Sequence, residues 1–366
     1  MNGRTDAVKF LINRRRLQRW LRFATCWKWQ TTLEVEMGQA KLSICIPTFN
    51  REPFLRITLD SIACQLTDDL KEAIQIVVSD NASQDNTEVL VESYRGLFPH
   101  LVYYRWPENM GADRNYLKVV ELASSDYCWL MGSDDILSDG SIRKVMETIG
   151  DGTTDILLFD RLLSDMKPSS IPRREFFVAT EGDLLADSRK DFEGYLHYIR
   201  KSQSLGAYFS FISSLVFRKN RWDDIPDKDR FVGTAYAHVY ILMKIIAQGA
   251  LFRYCQTPVV TARLGNDGFL KSDSLDDFYQ RVRLDIDGYC QIVNKAFGSD
   301  SYVSYKLLNK IEDIIPKGTL YTIYARQRRA KQDLPTKMEL LLLNNGFYRK
   351  YISIKIKALV KKLSFR

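Results

Sequence analysis

No apolar run in this sequence approaches the roughly 18 residues that a bilayer-spanning helix needs. The richest stretch, MELLLLNNGF, is short and interrupted, so no transmembrane helix is expected. The N-terminus is basic but lacks an apolar core followed by a small-residue cleavage site, so no signal peptide is expected either. Cysteine is sparse: Cys26, Cys45, Cys64, Cys128, Cys255 and Cys290 show no C-x-x-C spacing and mostly fall inside apolar segments. That pattern argues against a zinc site or a disulfide framework and for buried thiols in a reducing, cytoplasmic setting. There are three histidines, no internal repeat and no low-complexity linker.

What is present is ordinary globular composition, 45% hydrophobic and 27% charged over 366 residues, enough for one large domain or two. The formal charge of +8 is uneven. Residues 1–36 carry 8 Lys/Arg against 3 Asp/Glu, and residues 317–366 carry 13 against 2, which leaves 32 against 40 between them. The chain is an acidic body with basic ends. A nucleic-acid binder more often carries positive charge on the folded body, so no nucleic-acid partner is expected.

From Lys41 the sequence alternates between strand-like and helix-like segments. KLSICIP (41–47), IQIVVSD (74–80), LVYYRW (101–106) and YCWLM (127–131) are apolar and β-rich. Between them PFLRITLDSIACQL (53–66), TEVLVESYRGLF (87–98) and RNYLKVVELA (114–123) have helical spacing, with Phe54, Leu55, Leu59, Ile62 and Leu66 on one face of the first. Near-continuous apolar strands separated by helices predict an α/β fold, a mostly parallel sheet with helices on both faces. Downstream, DILLFDRLL (155–163), FSFISSLVFRK (209–219) and LFRYCQTPVVTARL (251–264) read as strands, and DFEGYLHYIRKS (191–202) and HVYILMKIIAQG (238–249) as helices. Beyond Asp273 successive helices are expected.

The loops at the strand ends carry the chemistry. PTFNRE (47–52) follows the first strand, SDNASQDNT (79–87) the second and PENMGADRN (107–115) the third, while CWLMGSDDIL (128–137) ends on Asp134 and Asp135. Asp80 can accept from a base N–H or a ribose hydroxyl, Asp85 reads as a cap for the following helix, and Arg114 can meet a phosphate. Adjacent acids repel, so Asp134 and Asp135 imply either a solvated turn, for which Gly132-Ser133-Asp134-Asp135 has the right residues, or a divalent cation at a strand's carboxyl end.

These segments in this order, SICIPTFNRE, VVSDNASQDNT, ENMGADRN and WLMGSDDIL, resemble the nucleotide-sugar-binding half of family 2 glycosyltransferases, and the overall pattern is similar to the abequosyltransferase-like subgroup of O-antigen assembly. The resemblance implies a GT-A fold and transfer of a hexosyl or deoxyhexosyl unit from a nucleotide sugar to a lipid-linked or polysaccharide acceptor. It implies donor binding by Pro47, Thr48, Asn50 and Asp80, with Asn109, Gly111, Arg114 and Asn115 of the third loop. It also implies a divalent metal, Mg²⁺ or Mn²⁺, at Asp134 with Asp135 beside it. Family members usually have an acid where this chain has Gly132. In AHVYILMKIIAQG (237–249) the family's E-D pair falls on Ala237 and His238, which places His238 at the catalytic base, with Asp223 or Asp224 as the fallback. Histidine suits that role through its ordinary pKa of about 6.5.

The implied organisation is a basic extension over 1–36, from a start upstream of Met37; a GT-A domain over 37–270, divided into donor (37–140) and acceptor (141–270) halves; and a helical region over 271–366. In the last of these, RKYISIKIKALVKKLSFR forms a basic amphipathic helix with Tyr348, Ile352, Ile356, Leu359 and Leu363 on one stripe and Lys350, Lys357 and Lys361 opposite. Such a helix suits an anionic membrane surface, giving a peripheral protein on the cytoplasmic face. A nucleotidyltransferase is the rival enzyme, opposed by the lack of glycine in PTFNRE; a catalytically silent nucleotide-sugar-binding protein is the other alternative.

Overall fold

All seven residues of Leu42–Thr48 and all seven of Ile74–Asp80 are buried, as interior strands of a covered parallel sheet must be. The computed structural model describes residues 40–150, 152–165, 170–265, 274–329 and 336–363. The expected basic extension over 1–36 lies outside them. In chain order the first elements are β1 (Leu42–Thr48), α1 (Glu52–Ala63), α2 (Asp68–Lys71), β2 (Ile74–Asp80), α3 (Thr87–Ser93), β3 (Leu101–Arg105), α4 (Ala112–Glu121), β4 (Tyr127–Leu130), β5 (Ile136–Leu137) and α5 (Ser141–Ile149). There follow β6 (Ile156–Ser164), β7 (Arg173–Glu175), β8 (Leu184–Asp187), α6 (Glu193–Lys201), β9 (Leu215–Arg218), α7 (Lys219–Asp223), α8 (Ala237–Ala247) and β10 (Leu251–Arg263). The chain then becomes helical: α9 (Leu275–Phe297), α10 (Tyr302–Ile314), α11 (Lys317–Arg329), α12 (Lys337–Asn344) and α13 (Tyr348–Leu363).

The sheet order is β3-β2-β1-β4-β9-β6-β10-β5, with β7 beside β6 and β8 beside β10. Strands β1 to β4 are mutually parallel where they pair, as are β6 and β10, and β9 is antiparallel to both β4 and β6. The chain winds outward from β1 to β3 and then returns to lay β4 on the other side of β1. That reversal opens a crevice outside the carboxyl ends of β1 and β4, where open α/β sheets bind ligands.

Side-chain alternation along the strands divides the core into two layers. Cys45, Val77, Cys128 and Leu130 join Val119 and Val120 of α4 on one face; Ile44, Ile46, Ile76, Val78 and Trp129 join Leu55, Leu59 and Ile62 of α1 on the other. Helix α8 buries nearly every side chain from Ala237 to Ile246, so it is a central helix, apolar all round, with α9 packed against it. Among the described cysteines, Cys45, Cys128, Cys255 and Cys290 are buried thiols and Cys64 is exposed.

Two expectations change. Phe54 is half-buried beneath the guanidinium of Arg263, 4.7 Å from its ring centre, instead of belonging to the core stripe of α1. In α13 it is Ile354 and Lys350 that turn inward, with Lys350 Nζ donating to the carbonyls of Asp313 and Ile315. The exposed stripe is Tyr348, Ile352, Ile356 and Val360, and the side chains of Leu359, Lys361 and Leu363 lie outside the described residues. The helix is amphipathic, but its register differs from the one that charge spacing implied.

Candidate active site

Three loops leave the carboxyl ends of β1, β2 and β3, and their polar side chains bind one another. The Asn50 side-chain carbonyl accepts from Gln84 N–H at 2.7 Å, while Asn50 N–H donates to Ser83 Oγ at 2.8 Å. Asn50 itself takes a positive φ of 50°, which asparagine tolerates better than most residues. Asp80 accepts from Ser83 N–H at 2.8 Å and from the Tyr103 hydroxyl at 2.8 Å, with Arg105 Nε 3.7 Å away. Asn81 bridges to Asn109 Oδ1 and to Met110 N–H. The Asn115 amide donates to the carbonyls of Thr48 and Ser79 and accepts from the Ser79 hydroxyl and the Trp106 indole. Asp85 accepts from Glu52 N–H and from the N–H and hydroxyl of Thr87, the capping role expected for it.

Of the expected donor-binding residues, Pro47, Thr48, Asp80 and Asn115 are buried, and Asn50, Asn109, Gly111 and Arg114 are exposed. In this conformation Asp80 and Asn115 lie beneath the loops that carry the exposed four. Their polar atoms are committed to holding the loops, and the Asp80 side chain is 1% exposed. Thr48 Oγ1, buried at the end of β1, has no partner among the described residues.

The acid pair divides into two different groups. Asp134 is partly exposed, and its Oδ2 lies 2.7 Å from Arg51 Nη1, an ion pair across the crevice between β1 and β4. Asp135 is buried: Oδ2 accepts from the Ser213 hydroxyl at 2.5 Å and Oδ1 from Arg263 N–H at 3.2 Å, while its carbonyl accepts from Thr58. Burial, and then the neighbouring Asp134 charge, push its carboxyl up to about 7. Both oxygens of Asp135 face protein donors in this conformation. Asp134 is the partly exposed member of the pair. Among the described residues no cluster of three or more His, Cys, Asp or Glu side chains is assembled for a metal.

Ser213 explains Gly132. Its hydroxyl accepts from Gly132 N–H at 2.9 Å while donating to Asp135, and its carbonyl accepts from the buried Trp129 indole at 2.8 Å. A Cβ on Gly132 would lie 3.0 Å from Asp135 Oδ2, 3.2 Å from Ser213 Oγ and 3.3 Å from Asp134 Oδ1. Serine from the acceptor half thus fills the space beside the position where relatives usually carry an acid.

His238 departs from expectation. It is 1% exposed, its Nε2 lies 3.0 Å from the Phe209 carbonyl, and burial lowers its pKa to about 4 despite that contact. A carbonyl partner requires the Nε2–H tautomer, which leaves Nδ1 as the basic atom, enclosed and without a partner among the described residues. In this conformation the imidazole is enclosed and its pKa is lowered, so burial works against the expected role as the base. The fallback fares no better: α7 follows β9, which runs antiparallel to β4, so Asp223 and Asp224 lie at the opposite end of the sheet from the acid pair.

Sequence reasoning missed Arg51, Asp113, Tyr116, Ser213 and Arg263. The buried Asp113 carboxylate accepts from the N–H groups of Gly233 at 2.7 Å, Ala235 at 2.9 Å and Ala237 at 3.1 Å, holding the turn that leads into α8. Tyr116, three residues on, meets the His238 ring edge-on at 5.6 Å, and its phenol is pushed up to about 12 by burial and then by the Asp113 charge, with Arg51 opposing.

Two outcomes follow from this geometry. Gly132→Asp adds a third carboxylate where a Cβ already crowds two, so it lowers stability by about 1–3 kcal/mol in denaturant titration and does not raise activity. Asp135, with its folded pKa raised to about 7, binds more protons folded than unfolded between about 4 and 7. Its contribution to stability therefore falls as pH rises through that window and is level above it, by roughly 1.4 kcal/mol per unit of displacement. Asp135→Asn removes that slope in unfolding measured from pH 4 to pH 8; an unchanged slope contradicts it.

Residues 43–217 match the family described as Glycosyl transferase family 2. Abequosyltransferase RfbV of Salmonella typhimurium is 36% identical over 264 residues, covering 71% of this chain and 76% of that protein. A beta-1,3-glucosyltransferase of Campylobacter jejuni, which acts on GalNAc(5)-diNAcBac-PP-undecaprenol, is 29% identical over 31% of this chain and 35% of its own length. In fold, the chain is similar to S. aureus TarS 1–349 in complex with UDP-GlcNAc, with TM-score 0.54 and 18% identity over 86% of this chain and 89% of that one. It is likewise similar to the mannosyltransferase PcManGT of Pyrobaculum calidifontis in complex with GDP-Man and Mn2+, with TM-score 0.51 and 17% identity over 89% and 87%. The parallel sheet with its crevice at β1 and β4, the interlocked loops and these likenesses agree: the chain belongs to glycosyltransferase family 2 and is a glycosyltransferase of GT-A fold.

Proposed function

We propose that this enzyme moves a sugar, a hexosyl or deoxyhexosyl unit, from a nucleotide-sugar donor to a lipid-linked or polysaccharide acceptor in the assembly of a cell-surface glycan of O-antigen, lipopolysaccharide or capsule type. The observation that carries the reading is the meeting of Arg51 and Asp134 at the crevice between β1 and β4. The long match to an abequosyltransferase supports the deoxysugar and O-antigen assignment. A lipid-linked acceptor is supported by the polyprenol-linked substrate in the Campylobacter relative's name.

Donor binding falls to the exposed groups of the interlocked loops, Asn50, Asn109, Gly111 and Arg114, with Pro47, Thr48, Asp80 and Asn115 fixing their positions. A divalent cation fits this site as a one-carboxylate case: Asp134 supplies the protein oxygen and diphosphate oxygens the rest, a set Mg²⁺ and Mn²⁺ accept. When bound, such an ion offsets the negative charge that gathers on the departing diphosphate. Asp135 stays out of that set and holds Arg263 and Ser213 beneath it. His238, neutral and enclosed, supports Tyr116 and the start of α8; the acceptor's proton passes to another group or to solvent. The GT-A domain of 37–270, with the helical region of 271–366 packed against its acceptor half, is the working unit of this reading.

Membrane association at the cytoplasmic face belongs to the same proposal. Tyr348, Ile352, Ile356 and Val360 recur every fourth residue on α13, so they form one exposed apolar line, and the exposed Arg349, Lys355 and Lys357 flank it. No described helix is long and apolar enough to cross a membrane.

Thermal stabilisation by a panel of UDP-, GDP-, CDP- and dTDP-sugars with Mn²⁺, followed by turnover of the stabilising donor, tests the activity. Asp134→Ala is expected to keep its melting temperature within a few degrees and to lose transfer by at least a hundredfold; full activity in that variant ends the reading. Release of pyrophosphate from a nucleotide and a sugar phosphate would instead point to a nucleotidyltransferase, and binding without turnover to a silent binder. Ile352→Asp with Ile356→Asp is expected to cut co-sedimentation with phosphatidylglycerol vesicles several-fold while leaving melting unchanged, since both side chains are exposed. Equal sedimentation of both proteins removes the membrane assignment.

A further inference from the structure

Three arginines border the acid pair, and two of them are fixed. Arg161 lies 4.1 Å over the Phe211 ring and pairs with Glu175 at 2.5 Å. Arg263 stacks on Phe54, and its Nε lies 3.4 Å from the Asp134 carbonyl. Arg51 is differently placed. It stands in the loop between β1 and α1, where its carbonyl starts the helix by accepting from Phe54 and Leu55, and its side chain reaches across the crevice to Asp134. At 27% exposure its head is in reach of solvent, and of whatever enters the crevice.

We infer that Arg51 is an exchangeable counter-ion: it neutralises Asp134 while the crevice is empty and transfers to the donor's diphosphate when Asp134 takes a divalent cation. This rests on the metal-assisted reading above and extends it to a residue that reading leaves without a role. The reasoning is electrostatic. A divalent cation on Asp134 competes with the guanidinium at 2.7 Å for the same carboxylate charge and sets two cations a few ångströms apart in a partly buried crevice, which weakens the Arg51 pair. The incoming cation displaces Arg51, and the anion it meets next is the diphosphate that the same cation binds. Guanidinium suits that second partner, since its fork of donors matches phosphate oxygens two at a time. Asp134 is thus kept neutralised in the empty site, where an unpaired carboxylate beside Asp135 would repel it. The cation alone is a weak ligand, because it must displace Arg51 with no anion to receive it. Cation and diphosphate together bind strongly, because each relieves the charge the other leaves.

The test separates this from a structural role by two readouts of opposite sign, measured on the full chain with probes that need no donor sugar. In Arg51→Gln the affinity for Mn²⁺ alone, followed by electron paramagnetic resonance, is expected to tighten at least tenfold. The affinity for inorganic pyrophosphate without metal, followed by calorimetry, is expected to weaken at least tenfold. Arg51→Lys retains a cation at the site and stays nearer the unsubstituted protein in Mn²⁺ affinity. Asp134→Asn loses Mn²⁺ binding yet keeps or tightens pyrophosphate binding, since Arg51 is released to it. If Arg51→Gln leaves both affinities within twofold, or weakens both, partner exchange is overturned while the metal reading stands. If Asp134→Asn binds Mn²⁺ as before, the metal reading itself fails and the exchange fails with it.

Discussion

The site depends on one buried amide. Asn115, on the first turn of α4, ties the carboxyl ends of β1 and β2 together by donating to the carbonyls of Thr48 and Ser79, and its own oxygen receives Ser79 and Trp106. Strand ends are where a parallel sheet runs out of ladder partners, and buried backbone carbonyls left there cost free energy unless a side chain meets them. Asn115 meets two at once. With that corner fixed, Asn50, Asp80 and Asn81 link the three loops into a single network. The loops thus form a preorganised surface, which lowers the ordering cost of binding a ligand there.

The adjacent acids at the end of β4 are tolerated because they are solved separately. Asp134 is neutralised by a guanidinium at 2.7 Å; Asp135 is withdrawn from water, given two donors, and driven toward protonation near neutral pH. Like charges thus carry one full charge and one weakened one, which is how close carboxylates coexist elsewhere. The missing third acid belongs to the same arrangement. With Asp135 turned toward Ser213, a further carboxylate at position 132 would face two acids and a serine oxygen at close range. Glycine relieves the repulsion and leaves the partly exposed Asp134 as the acid facing the crevice.

Much of this was legible in the sequence, and the division has a physical cause. Strand and helix periodicity is a local property, and the segments at 42–48, 74–80 and 127–130 emerged within a residue or two of expectation. The polar loops were legible as a set because they all fall at strand ends. What each side chain touches was not legible. Nothing local reveals that Tyr103 donates to Asp80 or that Asn115 donates to the Thr48 carbonyl. Arg51 hid inside PTFNRE because its partner is 83 positions away, beyond a strand that pairs with β1 only after three crossovers. His238 misled for a related reason: alignment to a motif position fixes where the α-carbon stands, whereas burial by Phe209, Tyr116 and Tyr236 decides what the imidazole can do.

Helix α4 then links the strand ends of β1 and β2 to the start of α8. Its first turn carries three side chains that go to three places. Asp113 crosses to the turn at 233–237 and receives three backbone N–H groups, two of them around Gly233 and Ala235, whose φ angles of 94° and 64° a looser turn would not keep. Asn115 goes to the strand ends of the donor half. Tyr116, one helical turn from Asp113 and on the same side, lies against His238 at the start of α8 and feels the charges of Arg51 and Asp134. Helix α4 thus joins the loop network at the ends of β1 and β2 to the first residues of α8. The enclosed, neutral His238 is the packing post of that linkage. A charged imidazole in the same enclosure would be costly to bury.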